Sequence, residues 1–128
     1  MKSYTDLPQS KKLAEILPLE SADMKWYFWK SEIDAPKLPT FGYSKDAAEN
    51  YKSTEAVYLP CWSLAALLGV LPKTFSYNNH AYQFMYNTRA MFYINVDNYD
   101  EYTFCSTNEN LVDACVGMII KLKELNLL

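Results

Sequence analysis

The stretch TFSYNNHAYQFMYNTRAMFYINV, residues 74–96, decides the fold of this chain. Runs of aromatic and β-branched residues alternate in it with short breaks that contain asparagine, and EYTFCS at 101–106 adds one more run. Such runs, separated by a few turn residues, are typical of successive antiparallel hairpins. The pattern therefore predicts a meander of about four strands.

Helical periodicity lies on both sides of this meander. In SLAALLGVLP four leucines recur at i, i+3, i+4 and i+7, which places them on one helical face before Pro72 stops the helix. A broad apolar stripe in ENLVDACVGMIIKLKELNLL predicts a long closing helix. Ser106 and Glu109 are spaced as a capping box for it, and Asn108 is a rival cap residue.

The first third of the chain predicts a short helix and an aromatic strand. The helix is expected in TDLPQSKKLAEILP, and the strand is MKWYFWK, residues 24–30. Alternation in the strand places Trp26 and Phe28 on one face and Tyr27 and Trp29 on the other.

Residues 31–60 are predicted to form a long loop, because prolines and a glycine punctuate a polar stretch. Within it KDAAENYK favours one or two helical turns and AVYL a short edge strand. The chain as a whole, residues 1–128, is predicted to be a single α+β domain. Its antiparallel meander sheet of four to five strands is packed on one face by the long C-terminal helix and the Leu-rich helix.

Composition disfavours several kinds of partner and location. The net charge of −3 disfavours nucleic acid as a partner, and no stretch has the roughly 20 apolar residues that a membrane helix needs. The N-terminus has no apolar run typical of a signal peptide, so we expect a cytoplasmic protein. Its three cysteines, Cys61, Cys105 and Cys115, have no zinc-site spacing, and no cofactor is predicted.

The order of these motifs resembles a family of small uncharacterised proteins carried by gut-bacterial genomes, their prophages and other mobile elements. The resemblance rests on MKWYFW, the Pro-punctuated loop, SLAALLGVLP, the aromatic meander and ENLVDACVGMIIKLKELNLL, and it spans nearly the whole chain. It implies the same α+β fold and a phage-related or mobile-element-related role, and it implies no catalytic or binding residue.

Two sets of residues offer alternative chemistry. Cys61 follows a proline before a predicted helix, where free backbone N–H groups lower a thiol pKa, and His80 is the only histidine that could act as its base. The opposing interpretation is that Cys61 is a packing residue and His80 a turn residue, and we favour it.

An acidic inhibitor of a DNA-binding protein is the other alternative. It would use five acids that must form one surface: Asp97, Asp100, Glu101, Glu109 and Asp113.

The surplus of aromatic residues favours a third function, which is protein binding without catalysis. If helices cover only one face of the sheet, several aromatic side chains remain on the open face and form an interaction surface. The candidates are Trp26, Trp29, Tyr86, Tyr93 and Tyr102, with Arg89 as the sole guanidinium. We therefore predict a non-enzymatic protein that binds an unknown protein partner or itself, through these aromatics or the broad apolar face of the last helix.

Overall fold

The computed structural model describes residues 2–32, 34–35, 37–52, 54–87, 90–98, 104–107 and 110–128. The fold is α+β, as predicted, with two antiparallel sheets. The chain divides into two compact units. We call residues 3–66 the N-terminal unit, and residues 67–128, together with Lys2, the C-terminal unit.

The N-terminal unit is built on a three-stranded sheet. Its elements are α1 (Leu7–Ile16), β1 (Met24–Trp29), β2 (Thr40–Phe41), α2 (Lys45–Asn50) and β3 (Ala56–Cys61). The strand order is β2-β1-β3, and all the pairs are antiparallel. The predicted first helix is confirmed as α1, with a capping box between Asp6 and Gln9.

Strand β1 has one buried face and one exposed face, as its alternation predicts. Met24, Trp26 and Phe28 are buried, whereas Tyr27 and Trp29 are exposed. Because side chains alternate along a strand, this places the core of the unit on one side of the sheet and two aromatic rings on the other.

The segment 31–60 is largely ordered. It contains β2, α2 and most of β3, so the predicted helical turns in KDAAENYK and the predicted edge strand in AVYL are both confirmed. Ser44 caps α2, since its side-chain oxygen accepts a hydrogen bond from the N–H of Ala47 at 3.2 Å. The segment therefore supplies both strands that pair with β1.

The four-stranded meander predicted from residues 74–96 and 101–106 forms the sheet of the C-terminal unit. The strands β4 (Thr74–Tyr77), β5 (His80–Tyr86), β6 (Ala90–Asn95) and β7 (Phe104–Thr107) follow one another in the sheet in chain order. Asn78 and Asn79 join the first hairpin with φ angles of 50° and 66°, which asparagine tolerates better than most residues. Strand β1 is not a member of this sheet, because β2 and β3 pair with it instead.

Two helices complete the fold. The Leu-rich helix is α3 (Leu64–Val70), of which Leu67 is fully buried. The closing helix is α4 (Leu111–Glu124), which packs against β6 and β7. Seven of its residues are buried: Val112, Ala114, Cys115, Val116, Met118, Ile119 and Leu122. Its broad apolar face is therefore part of the core.

The N-cap of α4 differs from the predicted one. The side-chain oxygen of Asn110 accepts from the N–H groups of Val112 and Asp113 at 2.8 and 3.3 Å. Ser106 lies in β7, so it cannot cap the helix, and Asn108 and Glu109 lie outside the described residues. The prediction was wrong because the β-strand continues through Ser106 and the helix starts later.

Candidate interaction surface

The outer face of the three-stranded sheet carries a cluster of five aromatic side chains, which we call the tyrosine face. Two come from β1, one from β3 and two from the residues that flank α2: Tyr27, Trp29, Tyr58, Tyr43 and Tyr51. Strand register accounts for the centre of the cluster, since Tyr27 lies directly opposite Tyr58. Residues opposite each other in an antiparallel pair have adjacent side chains.

The rings of the tyrosine face contact one another continuously. Tyr51 stacks on Tyr58 with centroids 5.6 Å apart and planes at 19°, and Tyr43 lies on Tyr58 at 5.4 Å and 34°. Tyr27 meets Tyr51 at 5.0 Å and Tyr58 at 6.0 Å with its plane steeply inclined. These are the offset and edge-on arrangements that aromatic rings prefer, so the cluster holds its own shape.

Trp29 and Tyr27 form the exposed end of the tyrosine face. Trp29 lies 6.3 Å from Tyr27, and the two residues retain 46% and 40% of their accessible area. Within the part of the chain that the structure describes, the indole N–H of Trp29 makes no hydrogen bond. An amphipathic ring with an unused donor is the kind of side chain that is enriched where proteins bind one another.

The phenol groups of the cluster are held in defined positions. The Tyr58 hydroxyl oxygen accepts from the backbone N–H of Ser44 at 3.1 Å. The pKa of Tyr27 is raised, chiefly by a side-chain hydrogen bond with Tyr51. Burial raises the pKa of Tyr43, and the neighbouring Tyr58 and Glu49 add to that effect. The two raised pKa values favour the neutral phenols of Tyr27 and Tyr43, which can donate a hydrogen bond.

Charged side chains beside the tyrosine face occur with both signs. Lys52 and Glu49 form an exposed ion pair at 3.7 Å at the end of α2. Lys30 follows Trp29, and its backbone N–H donates to the carbonyl oxygen of Glu55 at 2.7 Å. The ion pair of Lys52 and Glu49 therefore adds no net charge at this border of the tyrosine face.

The opposite side of the same sheet is a core with a buried polar network. Ser10 lies at its centre: the indole N–H of Trp26 donates to its hydroxyl oxygen at 3.1 Å, and the Thr5 hydroxyl lies 2.8 Å from it. Thr5 also accepts from the N–H of Trp62 at 3.1 Å. Trp26 is only 6% exposed, so the expectation that it belongs to an open aromatic surface is not met.

Cys61 belongs to this core. It is fully buried, and its thiol donates to the carbonyl oxygen of Thr5 at 3.4 Å. Burial raises its pKa, although hydrogen bonds with Thr5 and Ser10 oppose that effect. A nucleophilic thiol needs the opposite shift and an accessible sulfur. His80 is half exposed, and its Nδ1 lies 3.7 Å from Oδ2 of Asp97.

The remaining predicted site residues have different environments. Tyr93 is fully buried in the C-terminal unit, where its hydroxyl donates to the carbonyl oxygen of Pro72 at 2.7 Å and burial raises its pKa. Tyr86 is 56% exposed and contacts Phe84 with ring centroids 5.8 Å apart. Arg89 and Tyr102 lie outside the described residues.

The predicted acidic surface is described only in part. Asp97 is exposed beside His80, whereas Asp113 lies in the first turn of α4 and forms an ion pair of 2.6 Å with Lys2. Asp100, Glu101 and Glu109 lie outside the described residues. Among the residues that are described, no group of three or more His, Cys, Asp or Glu side chains could hold a metal ion. No helix in the described ranges is both long and apolar enough to span a membrane.

The composition of the tyrosine face was only partly foreseen from the sequence. Trp29 was predicted, and Tyr27 was assigned to the same face of β1, but Tyr43, Tyr51 and Tyr58 were not recognised as site residues. A usable signal was present, because Tyr43 and Tyr51 flank the short helix KDAAEN and Tyr58 lies in the strand that follows. Comparison of the chain with protein-family models, curated proteins and solved structures found no match.

Proposed function

We propose that this chain is a non-enzymatic protein-interaction module that binds a protein segment through the tyrosine face. The observation that supports the proposal is the pair Tyr27 and Trp29, two adjacent exposed aromatics mounted on a sheet whose other side is core. Tyrosine and tryptophan bury a large area at a low cost in conformational entropy, and they are enriched among the residues that dominate binding energy.

The rigid base of the surface supports the same function. Tyr27 and Trp29 lie in the part of β1 that pairs with β3, and the Tyr27 ring contacts the rings of both Tyr51 and Tyr58. A surface that is already ordered loses little conformational freedom on binding, which favours affinity. The alternative interaction surface, the broad face of α4, receives no such support because its apolar residues are buried.

The enzyme alternative has no comparable support. Its nucleophile, Cys61, is buried and has a raised pKa, which reduces the thiolate fraction at neutral pH. The acidic-inhibitor alternative requires five acids on one surface, of which the described Asp113 is already paired with Lys2.

A selection from a random peptide library on the immobilised full-length chain tests the proposal. Enriched peptides are then measured against Trp29→Ala and against Tyr86→Ala, a matched control that removes a somewhat more exposed aromatic from the C-terminal unit. We expect Trp29→Ala to weaken binding about tenfold or more, as removal of a central aromatic anchor does, and Tyr86→Ala to leave it unchanged.

Two results would contradict this proposal. One is a selection in which no enriched peptide depends on Trp29. The other is an equal loss of binding in both variants while their thermal unfolding curves match that of the wild type. Light scattering over a dilution series distinguishes a second copy of the chain as the partner, because a dimer that Trp29→Ala abolishes assigns the tyrosine face to self-association.

We also propose a cytoplasmic location and a phage-related or mobile-element-related role. The location is supported by the absence of any disulfide among Cys61, Cys105 and Cys115, all of which are described and free. Fractionation of the native cells tests the location, and recovery of the protein outside the cytoplasm would contradict it.

The phage-related or mobile-element-related role is supported by the sequence resemblance alone. A genomic neighbourhood without phage or mobile-element genes would count against this role.

A further inference from the structure

We infer that the segment which the tyrosine face binds is a proline-rich peptide in the polyproline II conformation. This inference rests on the proposed function, and it specifies the chemistry of the partner. Proline-rich segments bind surfaces lined with aromatic rings, because a pyrrolidine ring packs flat against an aromatic face. The preformed extended helix also loses little entropy when it binds.

The geometry of the rings suits such a ligand. Successive centroids from Trp29 to Tyr27, from Tyr27 to Tyr58 and from Tyr58 to Tyr43 are 6.3, 6.0 and 5.4 Å apart. A polyproline II helix rises about 3.1 Å per residue, so roughly two residues span each of these steps. Tyr27 is inclined by 69° against Tyr58, so the two rings meet edge to face and a proline ring can pack over their junction.

The hydrogen-bonding groups of the tyrosine face are complementary to a chain that lacks donors. Neither the indole N–H of Trp29 nor the hydroxyl of Tyr43 has a hydrogen-bond partner among the described residues. The Tyr58 oxygen accepts from Ser44, and its own proton is donated to no described residue. Proline has no N–H and offers only a carbonyl oxygen, so a proline-rich backbone matches a surface that offers donors.

Charge complementarity points to the same occupant. The ion pair of Lys52 and Glu49 places opposite charges side by side at the border of the tyrosine face. An acidic or a basic peptide would therefore gain little net attraction there. The neutral aromatic centre is best matched by an uncharged segment, which distinguishes proline-rich sequences from charged interaction motifs.

The test uses a decaproline peptide, titrated into the full-length chain while tryptophan emission is recorded. Trp29 is the reporter, because Trp26 and Trp62 are buried and contribute a constant background. We expect a saturable change with decaproline and none with a Gly-Ser peptide of the same length. Tyr43→Phe removes one donor but keeps the ring, whereas Tyr58→Phe also removes the acceptor of the Ser44 N–H. Each is expected to weaken binding about three- to tenfold. Tyr86→Phe, the matched control, is expected to have no effect.

The outcomes separate this inference from the proposed function. If decaproline gives no response but library peptides bind in a Trp29-dependent manner, the inference is overturned and the proposed function stands. Loss of both kinds of binding would overturn both. A dimer that depends on Trp29 would overturn the inference in favour of a second copy of the chain. Equal affinities of the Tyr→Phe variants and the wild type would overturn the assigned donor role.

Discussion

The ring of Tyr51 stacks on the ring of Tyr58, with centroids 5.6 Å apart and planes inclined by only 19°. Tyr51 ends α2 and Tyr58 lies in β3, so this contact attaches a six-residue helix to the outer face of the sheet. Isolated helices of that length are not stable in water. The order of α2 therefore depends on the aromatic cluster, and the cluster depends on α2 for two of its five rings.

The first prediction concerns Tyr58, whose ring contacts three other rings of the tyrosine face. Tyr58→Ala removes contacts with Tyr27, Tyr43 and Tyr51 and leaves the N–H of Ser44 without its acceptor. Because Tyr58 is only half buried, we expect the Tyr58→Ala substitution to lower the free energy of unfolding by about 2 kcal/mol. This is below the range for fully buried aromatics. Urea denaturation measures the change.

Tyr86→Ala is the matched control for this measurement. Tyr86 is an exposed strand tyrosine with one close ring neighbour, Phe84, and its removal should cost less than about 0.5 kcal/mol, as surface substitutions do. Similar losses in the two variants would mean that the rings of the tyrosine face do not support one another.

The second prediction concerns the buried network around Ser10. Ser10→Ala leaves the indole N–H of Trp26 and the Thr5 hydroxyl without this shared partner. A buried donor that loses its acceptor costs about 1–3 kcal/mol, so we expect a loss of stability in that range in urea denaturation. Ser76→Ala, at an exposed position of β4, should be neutral. A neutral Ser10→Ala variant would show that water replaces the missing hydroxyl.

The third prediction compares two exposed helical glycines. A methyl group at Gly69 in α3 meets nothing within 4 Å, so Gly69→Ala should stabilise the chain by up to about 1 kcal/mol through helix propensity. At Gly117 in α4 the same methyl group would lie 3.0 Å from the Ser106 hydroxyl. We therefore expect Gly117→Ala to stabilise the chain less than Gly69→Ala does, or to destabilise it. Thermal unfolding measures both variants.

A double variant identifies the cause of that difference. Ser106→Ala removes the hydroxyl that a methyl group at position 117 would meet. Combined with Gly117→Ala it should recover most of the gain seen at Gly69. If the double variant is no more stable than Gly117→Ala alone, the contact with Ser106 is not what limits α4 at this position.

The fourth prediction concerns stability at alkaline pH. Cys115 is fully buried, and burial raises its pKa from the usual 9.0 to about 12. The folded state therefore favours the neutral thiol, and the stability this contributes is complete below pH 9 and is lost as the pH rises towards 12. Between pH 8 and pH 10.5 we expect a loss of about 2 kcal/mol from this group.

Urea denaturation at the two pH values measures this loss, and Cys115→Ala provides the control. The variant is expected to be less stable at both pH values because it creates a cavity, but its stability should fall less between them. The pKa of the buried Tyr93 is also raised, chiefly by burial and to a smaller extent by Cys115, so Tyr93 adds to the pH dependence of both proteins but slightly less in the variant. An identical pH dependence in variant and wild type would contradict the assignment to Cys115.

Much of the secondary structure could be predicted because it depends on local patterns. The alternation of MKWYFW is enough to assign the two faces of β1, and asparagine pairs such as Asn78 and Asn79 mark a hairpin turn without tertiary information. The cap of α4 could not be located in this way. Ser106, Asn108 and Asn110 are all plausible caps by residue type, and the end of β7 excludes the first of them.

The candidate site was less predictable than the fold. A run of aromatics shows that aromatic surface is in surplus, but Trp26 and Trp29 differ by an odd number of positions and so point to opposite sides of the sheet. Which side is core depends on α1 and on the partners of Ser10, which are remote in sequence. In the other sheet, the sequence pattern does not show which face of the meander α4 covers, and Tyr93, a candidate for the open surface, is buried in the structure.

The sequence by itself determined the α+β class, the four-strand meander and the periodic faces of β1 and α4, because these follow from interactions among residues close along the chain. The tertiary structure alone decided that β1 pairs with β2 and β3 in a separate sheet and that Tyr43, Tyr51 and Tyr58 gather on its outer face. Strand pairing and ring stacking are contacts between distant residues. Their free energy depends on which partners the fold brings together, and no local pattern encodes that.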